Sequence, residues 1–123
     1  VATTVFDNTY FSTKFFYETD FESGPYNNVS NGPCTVQAIT ILNNVSSQSE
    51  NYLKIYDTAE EITANSTEAD FVFRIGNDVD ATICFGSSGL SILNGLTVRM
   101  PSGQAVSSVD NPTQTTRCNI VYT

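Results

Sequence analysis

The chain has 123 residues, and 40% of them are hydrophobic, which suits one core and one domain. Its net charge of −8 sets 13 carboxylates against Lys14, Lys54, Arg74, Arg99 and Arg117, so it lacks the basic stripe that nucleic acid or an anionic membrane requires. It contains 0 histidines, which excludes Ser-His-Asp and Cys-His catalysis and the usual zinc ligand sets.

Charged residues are only 15% of the chain, so its polar surface must come from Ser, Thr, Asn and Gln, a balance suited to strands and turns. Val1-Ala2-Thr3-Thr4-Val5 has no basic region followed by an apolar run, so no signal peptide is expected to remain. A start at Val1 implies that a methionine or a longer leader has been removed. No run approaches the ~18 apolar residues of a membrane span.

Residues 1–32 form a segment of their own character. Tyr10, Phe11, Phe15, Phe16 and Tyr17 place aromatics on both faces of the chain, more than one edge strand buries against its own sheet. The segment is therefore either a strand capping the domain or an arm that docks on a neighbouring subunit. Gly24-Pro25-Tyr26-Asn27-Asn28 and Asn31-Gly32-Pro33 close it with loop chemistry. The β-domain proper is expected over residues 33–123.

Period-2 alternation then dominates. Residues 35–42 read as a strand leading into an Asn- and Ser-rich loop over 43–49. In Tyr52-Leu53-Lys54-Ile55-Tyr56, Leu53 and Ile55 point to the core, and Tyr52, Lys54 and Tyr56 face out. Residues 58–67 read as a long connection, with room for one helical turn at 59–64. Strand 70–75 turns inward Phe71, Phe73 and Ile75, and Gly76-Asn77-Asp78 is expected to fold it into a hairpin with 81–85. Gly86-Ser87-Ser88-Gly89 breaks that strand. Asn94-Gly95, a dipeptide that accepts positive φ, leads into strand 96–100, which Pro101 ends. Residues 118–122 close the domain. The pattern predicts an all-β, antiparallel two-sheet β-sandwich, jelly-roll or Ig-like Greek key, with an aromatic-rich N-terminal arm or edge strand.

Few residues suggest chemistry. Ser87 has no base to activate it and sits in a turn, not a nucleophile elbow. Glu18, Asp20 and Glu22 would share one strand face, a pattern that a carboxylate hydrolase could use but that a solvated edge explains better. Asp78 and Asp80 beside Asn77 could offer oxygens to calcium, though turn residues account for them. No metal or cofactor is expected. Cys34, Cys84 and Cys118 form an odd set read as reduced, mostly buried thiols. Three sequons, at Asn28, Asn44 and Asn65, fall in expected loops and keep a secreted β-domain as a rival.

The block from Asn51 to Met100 resembles small β-sandwich virion proteins and modules of tailed bacteriophages. The likeness is carried by Tyr52-Leu53-Lys54-Ile55-Tyr56-Asp57, Phe71-Val72-Phe73-Arg74-Ile75, Ala81-Thr82-Ile83-Cys84-Phe85 and the phrase Gly89-Leu90-Ser91-Ile92-Leu93-Asn94-Gly95-Leu96-Thr97-Val98. It departs at Gly76-Asn77-Asp78-Val79-Asp80, where such proteins tend to have Pro-Ala-Gly-Gly, and it does not extend to the N-terminal third. The resemblance implies a non-enzymatic capsid decoration (cement) protein on the virion exterior, made in the host cytoplasm. Its implied partners are the major capsid protein and copies of itself, as a homotrimer, without nucleic acid, membrane or small-molecule ligand. Contact residues are expected at Tyr10, Phe11, Phe15, Phe16 and Tyr17, with Tyr52 and Tyr56 between copies. A tail, neck or fibre module and a carbohydrate-binding β-sandwich are the alternatives.

Overall fold

The structure is a computed structural model and describes residues 13–123. Its strands are β1 (Lys14–Glu18), β2 (Cys34–Leu42), β3 (Asn51–Asp57), β4 (Phe71–Ile75), β5 (Ala81–Cys84), β6 (Leu90–Ile92), β7 (Leu96–Arg99) and β8 (Arg117–Tyr122). No helix occurs among the described residues. The strands form two antiparallel sheets packed on each other, so the chain is an all-β sandwich.

The first sheet runs β1-β8-β2, and β5 and β6 pair with successive stretches of the far edge of β2. The break between β5 and β6 falls at Gly86-Ser87-Ser88-Gly89. A Cβ on Gly89, which has a φ of +69°, would lie 2.9 Å from the Val36 carbonyl oxygen, so only glycine lets the chain rejoin β2 there. The second sheet runs β4-β3-β7. Residues 22–29 extend it along the open edge of β7: the Tyr26 and Val98 amides and carbonyls exchange hydrogen bonds of 2.9 and 3.1 Å, and the Val29 amide donates to Leu96 at 2.8 Å. With that segment counted, the orders are β1-β8-β2-β5/β6 and (22–29)-β7-β3-β4. With β5 and β6 counted as one interrupted strand, successive segments cross from sheet to sheet except at β3–β4, which is jelly-roll connectivity.

The predicted hairpin between 70–75 and 81–85 does not form. β4 pairs with β3 and β5 with β2, in opposite sheets, so Gly76-Asn77-Asp78 is a crossover. The edge is closed by packing of the Phe73 and Phe85 rings, 6.0 Å apart at 70°. Gly95 also works differently from the expectation. Its φ is not in the left-handed region; glycine is required because a Cβ would meet Asn28 Oδ1 at 2.4 Å and the Thr58 oxygen at 2.9 Å.

The core lies between the sheets, with Ile39, Ile41 and Ile120 facing Leu53, Ile55 and Val98. Phe21 joins it at 0% exposure, with Phe16 and Tyr26 packed on Phe21 at 6.1 and 5.2 Å between ring centroids. The boundary expected at residue 32 therefore does not separate the described part of the N-terminal segment from the sandwich. One end is plugged by buried Asn43, Gln48, Asn51 and Thr116. The Asn51 side-chain amide donates to Asn43 Oδ1 at 2.8 Å, and Gln48 Nε2 donates to Thr116 Oγ1 at 3.0 Å. Such a plug satisfies polar groups where three loops leave the core.

Candidate functional site

The outer faces of the two sheets have opposite fates, and this difference defines the candidate site. On the second sheet, Lys54, Tyr56, Thr97 and Arg99 all point away from the core, yet all are buried. Loops around residues 58–69 and 102–110 roof that face. Arg99 fastens them: its Nε donates to the Ser23 carbonyl at 2.7 Å, Nη1 to Ala64 at 2.7 Å and Nη2 to Ser108 at 2.6 Å. Lys54 Nζ donates to the Ala105 carbonyl at 2.8 Å. Burial, then the neighbouring Arg99 charge, pulls the Lys54 pKa down.

Among the described residues, nothing roofs the first sheet in this way. Its register places Phe15, Val121, Ala38 and Cys84 side by side across β1, β8, β2 and β5. A second row runs Tyr17, Asn119, Thr40 and Thr82, and a third begins with Arg117 opposite Leu42. These residues alternate with inward Phe16, Ile120, Ile39 and Ile83, so they share the outer face. Phe15 is 64% exposed, Tyr17 59% and Leu42 43%. Among these outward positions Arg117 is the only charged residue, in a chain of net charge −8. Tyr17, Thr40, Leu42, Arg117 and Asn119 line a shallow groove of about 170 Å³. Asn119 Oδ1 is buried there without a hydrogen-bond partner among the described residues.

The sequence-predicted contact residues divide accordingly. Tyr10 and Phe11 lie outside the described residues. Phe15 and Tyr17 sit together on the open face. Phe16 does not: alternation turns it inward against Phe21 and Tyr26, so it is a core residue. Tyr56, expected outside, is 1% exposed beneath the roof. Lys54, also expected outside, is 2% exposed for the same reason. Tyr52 stays half-buried on the second sheet, its hydroxyl bonded to Glu50. Arg74 pairs with Glu50 at 2.5 Å, and these two donors hold the Glu50 carboxyl down to about 2. Val121, Ala38, Leu42, Cys84 and Arg117 escaped the sequence reading, because alternation says which residues share a face but not which sheet stays uncovered.

No family model, characterised protein or solved structure matches the chain. The site therefore rests on its own chemistry.

Elsewhere the polar candidates hold loops. Asp80 Oδ1 accepts the Asn43 and Asn44 amides at 2.8 and 2.9 Å, and Asp78 Oδ1 accepts the Gln48 amide at 2.8 Å. Both carboxylates thus serve as loop caps. Asp20 and Glu22 border an open depression with Asn111 and Thr113, and hydrogen bonding to Asp20 and its charge push the Glu22 carboxyl up. Cys34 and Cys118 are buried, and burial raises both thiols; Cys84 departs from the expected burial and is exposed on the open face. Of the sequons, Asn44 and Asn65 are exposed, while Ser30 of the first is buried and bonded to Gly32.

Proposed function

We propose that this chain is a non-enzymatic structural protein of a virus particle, a decoration protein that binds other protein surfaces on the outside of the shell. The observation that carries the reading is the open, aromatic outer face of the β1-β8-β2-β5 sheet, beside a second sheet whose outer face is roofed where β3 and β7 meet. A sheet face with Phe15 and Tyr17 standing clear, beside Val121 and Leu42 and interspersed with polar Asn119, Thr40 and Thr82, has the mixed apolar and polar composition of a protein-binding surface. The surrounding carboxylates keep the rest of the surface from adhering without selection. They also suit the exterior of a shell, away from packaged DNA. Jelly-roll connectivity is compatible with the role, being frequent in capsid and lectin domains, but it assigns no function by itself.

The test is co-sedimentation of the purified chain with empty shells assembled without it. The chain pellets with the shells, and the Phe15→Ser/Tyr17→Ser variant, still folded, pellets at least tenfold less. A wild-type chain that stays in the supernatant overturns the reading.

The groove beside Tyr17 favours a second reading, a carbohydrate-binding module of a tail or fibre. An exposed ring next to the Asn119 amide and the Arg117 guanidinium combines a stacking platform with polar groups for hydroxyls. Binding of the isolated chain on a glycan array, abolished by Tyr17→Ala, would support this reading over the first.

A further inference from the structure

The open face has a size gradient. In its first two rows it presents Phe15 and Tyr17 on β1, and on β2 and β5 only small side chains, Ala38 and Cys84 in one row and Thr40 and Thr82 in the next. Consider a two-fold axis lying over the face, parallel to the strands and between β8 and β2. It sets β1 of one copy over β5 of the other, and β8 over β2. Each tall ring then stands over a small residue: Phe15 over Cys84 and Tyr17 over Thr82. In the third row Arg117 falls over Leu42, one strand away from Asp80, so no like charges oppose each other. We infer that this face pairs with the same face of a second copy. A surface whose high half fits its own low half satisfies the self-complementarity that a two-fold contact demands.

The inference rests on the open face being a protein-binding surface, though not on the particle to which the protein belongs. Its strength follows from its size. Four strands ~4.8 Å apart, with three outward side chains each on β8 and β2 and two each on β1 and β5, span a patch that buries about 500 Å² per copy. That total of ~1,000 Å² is at the lower limit of specific interfaces, which marks a weak, reversible pairing. The pair uses the face that would contact a shell, so a shell and a second copy compete for it.

Sedimentation velocity on the full chain across micromolar concentrations tests this. The expected result is a monomer–dimer equilibrium. Ala38→Glu, which puts a charge at the centre of the face, weakens it at least tenfold without moving the thermal midpoint. Phe15→Cys gives a second readout: a thiol-to-thiol reagent of ~8 Å, matched to the ~10 Å between face-packed sheets, joins it to Cys84 of the other copy, and adding Cys84→Ser abolishes the covalent dimer. Within one chain β1 and β5 are three strands apart, about 14 Å, too far for an internal bridge. A monomer at all concentrations overturns the inference. So does a trimer, an equilibrium indifferent to Ala38→Glu, or a cross-link independent of Cys84. Shell binding by a strictly monomeric chain would leave the decoration reading standing, and a dimer that ignores shells would remove that reading alone.

Discussion

Arg99 illustrates how one side chain can decide which face of a sheet is available. It lies at 0% exposure with three carbonyls and the Tyr56 hydroxyl as acceptors, and none of these partners is a carboxylate. Arg99→Met keeps most of the volume but leaves the Ser23, Ala64 and Ser108 carbonyls without donors, which should cost about 3 kcal/mol in urea unfolding. Arg99→Lys should recover only a small part of that loss, because an ammonium cannot span three acceptors held by a planar fork. Asp57 offers a pH test. Burial pushes its pKa up, but the Leu93, Asn94 and Gly95 amides outweigh that and hold it below the usual carboxylate value. The bonds are 3.0 Å from Leu93 and 2.8 Å from Asn94. A depressed folded pKa means stability that is present above the unfolded value of ~3.9 and lost as pH falls through the folded one. Asp57→Ala should therefore cost about 1 kcal/mol at neutral pH, with the difference from wild type shrinking as pH falls below the unfolded value in parallel denaturation curves.

Among the elements, β1 separates two roles by alternation alone. Phe16→Ala should lower unfolding stability by about 2 kcal/mol, since the ring packs on Phe21 and Tyr26, whereas Phe15→Ala and Tyr17→Ala should each cost less than ~0.5 kcal/mol. Deleting residues 1–20 removes the whole strand and uncovers the β8 edge, so that truncation should melt lower than wild type and aggregate on heating. The β6–β7 connection gives a sharper test: Gly95→Ala drives a methyl into the Thr58 carbonyl and Asn28, and should destabilise by about 2 kcal/mol in urea titration. Most strands were legible in the sequence, because inward Leu53 and Ile55, or Ile39 and Ile41, follow the pleat that a buried face imposes. Their pairing was not. Gly76-Asn77-Asp78 has hairpin composition, yet the two strands it joins enter different sheets, a choice made by contacts distant in sequence. Leu90–Ile92 has no counterpart among the expected strands, because a three-residue strand shows too little alternation to register. Tyr56 and Lys54 misled for a related reason: their period-2 pattern is correct, but loops far along the chain cover the face they occupy.

At the scale of the whole molecule, charge and adhesive surface are segregated. Copies carrying −8 each repel one another, while the face proposed to join them is nearly neutral. Raising ionic strength, which shortens the screening length from ~30 Å to ~8 Å, should therefore tighten self-association in sedimentation experiments. A contact built on opposite charges would respond in the other sense. The open face was only half legible: the surplus of rings near the start signalled it, but the strands that complete the patch lie at the opposite end of the sequence and near its middle. The roof over the other sheet carries an evolutionary corollary. Its fasteners grip main-chain oxygens, which every amino acid supplies, so substitutions at Ser23, Ala64, Ala105 or Ser108 can leave the grip intact. The roofing loops are thus free to drift in composition for as long as two buried cations keep their place.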